Sequence, residues 1–297
     1  MLEASSGRNA FAREIKMLLQ VALLIFIFTV VIGILNGTDL VDFDGEQGRR
    51  TLLTHVHDGT IGWITLSVFA ASLWLFGGGE ISRRDVQVGQ WLAHLAAAGV
   101  IAYMVIFLTT VNIVRPIGGA VVAAIFIAFL GWTAMRARNM ELTVPHLGIL
   151  AAVASSGIGA VLGVIWGIQI ATNTQIFIED DEGAHPAMMV VGFLVPVAMA
   201  LSEWAFRPGR LPKPGRAGTL QILFPFLGGL ALMLGLLINL LPLVMLSLSL
   251  ELGAAVIYLW RMWPDLRAVD WPTARWSASR RSARSRSCST AATSSGS

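Results

Sequence analysis

Residues 17–36 read MLLQVALLIFIFTVVIGILN. The stretch carries no charge, and its polar side chains are Gln20, Thr29 and Asn36. As a helix it would rise about 30 Å, the thickness of the hydrocarbon layer of a bilayer. Lipid offers backbone N–H and C=O groups no partner, so a spanning run of this kind has to be helical. It follows Lys16 and has no small-residue cleavage site, so it reads as a retained helix rather than a signal peptide. Working outward, seven more runs follow, at roughly 53–77, 89–111, 116–135, 146–169, 185–205, 218–239 and 241–262. Leu241-Pro242 separates the last two, and Pro116 opens the fourth at a position a helix tolerates. The expected fold class is all-α, a polytopic membrane bundle of about eight transmembrane helices.

Composition agrees. The apolar set makes up 55% of the 297 residues and the charged set 13%, with 30 glycines and a mean hydropathy of +0.70. Soluble domains carry about 25% charged residues, so a soluble enzyme and a disordered chain are both excluded as descriptions of the whole. The net charge of +3 resembles a nucleic-acid signal, but the basic residues are sorted by loop. Of the 21, 18 fall in the N-terminus, the 2–3, 4–5 and 6–7 loops and the C-terminal segment counted from Arg261. The positive-inside rule then puts both termini in the cytoplasm, expected here to be that of a plasma (inner) membrane, and the partner is lipid rather than nucleic acid. The opposite loops are acidic, with Asp39, Asp42, Asp44 and Glu46 before the second run and Glu179, Asp180, Asp181 and Glu182 before the sixth. Solvated loop charge explains them; a negative outer face that steers a redox protein or a metal cation is the functional reading.

The expected organisation is one membrane domain, 1–266, followed by a disordered Arg/Ser-rich cytoplasmic tail, 267–297. That tail contains SASRRSARSRSCSTAATSSGS, too low in complexity to pack a core. It also holds the only cysteine, Cys288, which excludes an internal disulfide and a cysteine-held cluster. Within the membrane domain a repeat is visible. VIGILNG at 31–37 matches VLGVIWG at 161–167, an offset of 130. At that offset His55 falls on His185, Gly62 on Gly192, Trp74 on Trp204 and Gly99 on Gly229. Two parallel four-helix repeats are therefore expected, about 10–138 and 140–266, related by an axis along the membrane normal. His55 and His185 then lie at equal depth on the outer side and can face each other across that axis.

Five histidines are present. His94 and His146 have no counterpart at the 130-residue offset and read as boundary or structural groups. His55 and His57 are two residues apart, about 200° on a helix, so they point to different neighbours. His55, Gly59 and Gly62 share one face, as do His185, Met189 and Gly192. Imidazole followed by small residues on one face suits a flat macrocycle, so His55, His57 and His185 are candidate ligands of haem b. The same imidazoles with Asp58 and Met188 or Met189 could instead hold copper. Glu251 lies near the middle of the eighth run, where an ionisable group is costly and must face protein or water, and it is a candidate proton relay.

The segment HVHDGTIGWITLSVFAASLWLFG, His55 to Gly77, resembles short stand-alone proteins related to subunit I of the haem–copper oxidases. The residues that carry the resemblance are His55, His57, Gly62 and Trp63; AHPAMMVVGFLVPVAMALSEW, Ala184 to Trp204, looks like a second, weaker copy. The resemblance implies haem held by outer-side histidines in a subunit built of four-helix units, with His55 or His57 and His185 as ligands. Full oxidases add a copper centre with an adjacent histidine pair. This chain has no such pair and only two tyrosines, Tyr103 and Tyr258, so oxygen reduction is not implied. The expected function is a membrane b-type haem protein in electron transfer or in nitric-oxide or oxygen handling, with an outer-side redox protein as partner. Whether it is an enzyme is left open. A copper or zinc permease and a non-catalytic assembly subunit are the alternatives.

Overall fold

A computed structural model of the chain describes residues 9–38, 45–110, 112–177, 183–207, 211 and 213–268. These residues form helices and turns, with no strand among them. The chain divides into two compact units, Met1–Arg261 and Met262–Ser297, and every contact given below lies within the first. Eight helices are long and apolar enough to cross a membrane. They are α1 (Ala12–Gly37), α2 (Arg50–Phe76), α3 (Arg83–Thr109), α4 (Val114–Ala137), α5 (Val144–Thr172), α6 (Ala184–Phe206), α7 (Gly215–Leu237) and α8 (Leu241–Ala268). The protein is thus a polytopic helical bundle of the membrane-spanning type. The acidic residues Asp39, Asp42, Asp44, Glu179, Asp180, Asp181 and Glu182, the side chain of Glu46 and the tail from 269 lie outside the described residues.

Several helices start earlier than hydropathy alone predicts, because caps rather than apolar content define their ends. The Ser82 hydroxyl accepts the Asp85 N–H at 3.1 Å, which starts α3 at Arg83. Thr143 and His146 form a reciprocal cap that starts α5. The core is aromatic: Phe69 stacks on Phe129 with ring centres 4.0 Å apart, and Phe11 meets Trp132 edge-on at 5.5 Å. Leu23, Leu24 and Ile27 of α1 and Leu252 and Val256 of α8 face outward, as a hydrocarbon solvent allows.

α2 and α6 share a distortion. Asp58–Ile64 in α2 and Met188–Leu194 in α6 are π-helical, seven residues each, and lie 130 residues apart. The α-helical turns that follow, Thr65–Phe76 and Val195–Phe206, lie at the same separation. So do Trp74 and Trp204, whose rings meet at 6.4 Å. π turns are rare and concentrate at functional sites.

Where α2 ends and α5 begins, the protein satisfies its own polar groups. Buried Arg136 donates to the carbonyls of Phe76 (3.1 Å), Gly78 (3.0 Å) and Glu80 (3.3 Å), which lie at and beyond the C-terminus of α2. His146 accepts from Thr143 on Nδ1 and donates from Nε2 to the Leu75 carbonyl at 3.2 Å. Glu203, near the end of α6, reads from sequence as a carboxyl able to reach the interface. It is instead fully buried, paired with Arg207 at 2.9 Å and Arg261 at 2.8 Å, and it accepts from Gln221 at 3.4 Å. Arg261 also bonds Gln221. The two arginines keep the carboxylate from the interface because together they hold both its oxygens.

Candidate functional site

The three candidate histidines sit in the turns that lead into the two π segments. His55 donates from Nδ1 to the Thr29 carbonyl of α1 at 2.9 Å, and His185 donates from Nδ1 to the Gly159 carbonyl of α5 at 2.8 Å. Each acceptor lies 26 residues earlier in the chain. Each ring also rests on a glycine. A Cβ on Gly33 would stand 2.7 Å from Cε1 of His55, and one on Gly163 would stand 2.8 Å from Cε1 of His185. Only glycine lets the two helices approach closely enough to form these seats.

His57 is held differently. It donates from Nδ1 to the Leu53 carbonyl of its own helix at 2.8 Å. Its ring stacks on Phe107 at 4.2 Å and takes the edge of Tyr103 at 6.4 Å. On another side it lies 6.2 Å from the ring of His185, with 25° between the planes. The imidazole that meets His185 is therefore that of His57, whereas sequence reasoning set His55 opposite His185. The 200° between positions 55 and 57 turns His55 onto α1 and leaves His57 to face α3 and α6.

The hydrogen bonds select a tautomer. A carbonyl only accepts, so each Nδ1 carries a proton and, in the neutral ring, Nε2 keeps its lone pair. No protein group among the described residues bonds Nε2 of His57 or of His185. Both rings line one cavity of about 450 Å³ among α2, α3, α4, α5 and α6. That volume falls within the range of small-molecule sites. Its other walls include Tyr103, Phe107, Arg115, Trp166 and Met189. His55 is not among the lining residues.

Among the described residues, no three His, Cys, Asp or Glu side chains converge as a metal cage would need. Asp58 is fully buried, and neither carboxyl oxygen has a hydrogen-bond partner. Glu251 reaches α7 at Gly228, where a Cβ would lie 2.6 Å from its Oε1; that oxygen is buried and unpartnered. Neither carboxyl lines the cavity. His94 is exposed and bonds only the Gln90 carbonyl of its own helix.

Sequence reasoning missed Trp166. Its indole is 6% exposed, lines the cavity and packs on Phe177 at 5.0 Å, yet Nε1–H has no acceptor. A signal was present: VLGVIWG places Trp166 where VIGILNG places Asn36. Asn36 also has a buried Nδ2 without an acceptor. Arg115 reads from sequence as an interfacial charge, but it lines the same cavity and donates to the Phe107 carbonyl at 2.5 Å.

No family model, no curated protein and no solved structure matches this chain.

Proposed function

We propose that the protein is an integral membrane electron carrier that binds haem b between His57 and His185. One observation carries this reading: both imidazoles lock Nδ1 onto a backbone carbonyl and line the same cavity with Nε2 unbonded. Metal-binding histidines characteristically use their second nitrogen in this way, to fix tautomer and ring orientation. The ring centres lie 6.2 Å apart. At that separation the two imidazoles would be close enough to hold one iron between them. The apolar walls and the four glycines that line the cavity, Gly119, Gly163, Gly167 and Gly183, suit a flat apolar ligand.

Bound haem would supply one-electron iron chemistry. His57 and His185 would together hold the iron, which favours electron transfer over nitric-oxide or oxygen handling. His55 takes a structural role in this reading: it fastens α2 to α1 as His185 fastens α6 to α5. The 130-residue correspondence is read as two parallel four-helix repeats, with the site formed where His57 of the first meets His185 of the second. The distribution of basic residues puts this end outside the cytoplasm, where the acidic loops would meet a redox partner, and Glu251 is a candidate for proton movement.

The test is an absorption spectrum of the full-length protein, purified after expression with adequate haem supply. The expected result is a Soret band and extractable haem at one per chain. His57→Ala and His185→Ala should each remove or shift the band, while His55→Ala and His94→Ala should leave it. A preparation without haem overturns the proposal, and copper or zinc in its place by elemental analysis would favour a metal permease.

A further inference from the structure

We infer that the cavity is loaded sideways, from the bilayer, through a portal between α2 and α6. The inference rests on the haem reading and adds the route by which haem arrives. α2 and α6 converge at one end and part at the other. Far from the histidines they meet, with Trp74 against Trp204 at 6.4 Å. Near the histidines the cavity lies between them. Its α2 side is edged by Val56 and Thr60 and its α6 side by Pro186 and Val190. Each pair is four residues apart and so shares one face of its helix. These edges are also outer surface: Val56 is 44% exposed and Val190 48%, Pro186 is exposed and Thr60 half-exposed. A row of residues that lines a cavity and is open to the outside stands at an opening. Val56 and Val190 each lie six residues into a membrane-spanning helix, about 9 Å from its start, so the opening faces hydrocarbon.

The chemistry of the rim agrees. Lipid offers polar groups no partner, and these four side chains present none that needs one. The Thr60 hydroxyl donates to the Val56 carbonyl of its own helix at 3.0 Å, and Pro186 has no N–H. A polar part of the wall lies elsewhere, at exposed Asn112 just ahead of α4. Each rim row adjoins an imidazole in sequence, Val56 beside His57 and Pro186 beside His185. A flat ligand that enters edge-first therefore meets both rings without displacing the aromatic core. A porphyrin suits this route, because its apolar faces are driven out of water into lipid.

The experiment times haem uptake. Ligand-depleted full-length protein is reconstituted in phosphatidylcholine vesicles, ferric protoporphyrin IX is added, and growth of the Soret band is followed to completion. Val56→Trp and Val190→Trp narrow the portal with a side chain that lipid accepts, and Asn112→Trp places the same bulk at the polar part of the wall. Each portal variant should take up haem at least about tenfold more slowly than wild type and reach the same final spectrum, while Asn112→Trp keeps the wild-type rate. The unchanged endpoint shows that the variants fold and that His57 and His185 still hold the iron. Slowing in Asn112→Trp alone overturns the inference and makes the route aqueous. Wild-type rates in both portal variants overturn it too, as does equal slowing in all three. A changed final spectrum in both portal variants also overturns it, by showing that these positions act on the bound ligand rather than on its passage. All four of these outcomes leave the haem reading standing. If the wild type takes up no haem, that reading fails and this inference falls with it.

Discussion

The polar groups around Arg136, His146 and Glu203 differ from those around His57 in one respect. The first set is used up. Arg136 holds three carbonyls, His146 uses both ring nitrogens, and Glu203 uses both oxygens. Around the cavity, His57 and His185 each use one nitrogen, and the Trp166 N–H uses none. Unsatisfied buried polar groups are costly, so a fold keeps them only where something else offsets the cost. The satisfied cluster binds helices to one another, and the unsatisfied one has capacity for a ligand.

This contrast can be broken most severely at Glu203. Glu203→Ala leaves two largely buried arginines without their counter-charge, and about 3–5 kcal/mol of stability should be lost. Thermal unfolding in detergent would show it, and an unchanged midpoint would mean that the pairs contribute nothing. Arg136→Met keeps the volume but uncaps α2, with an expected loss of about 1.5–3 kcal/mol by the same measurement. His55→Ala removes the bond to Thr29 and should cost about 0.5–1.5 kcal/mol in bond terms while leaving the haem spectrum intact. His57→Ala sharpens the contrast from the other side. It removes a bond within its own helix and the ring contacts with Phe107, Tyr103 and His185, so the unliganded protein should lose about 0.5–1.5 kcal/mol while the spectrum is lost. The smallest effect belongs to His94→Ala, an exposed side chain bonded within its own helix, for which stability and spectrum should both match wild type.

The two halves make a second comparison. His55 and His185 have the same seat, a carbonyl 26 residues earlier and a glycine under the ring. His57 has no equivalent, because position 187 is alanine. The site is therefore asymmetric although the helices that frame it look alike. The repeat in sequence drew attention to the matched pair, and the unmatched histidine is the one that meets His185.

The amino-acid sequence by itself determined the eight helices, because an uncharged run of about 20 residues has one way to satisfy its backbone in lipid. It also narrowed the ligand candidates to a few histidines and excluded an internal disulfide and a cysteine-held cluster. Only the tertiary structure decided which imidazole meets which, that Glu203 is buried, and that Trp166 lines the cavity. Hydrophobic pattern reports what a residue leaves behind in water, whereas pairing depends on how each helix is rotated against its neighbours. The π segments at Asp58–Ile64 and Met188–Leu194 change the residues per turn just after the histidines, so the facing of His55, His57 and His185 relative to the rest of α2 and α6 cannot be read from 100° steps.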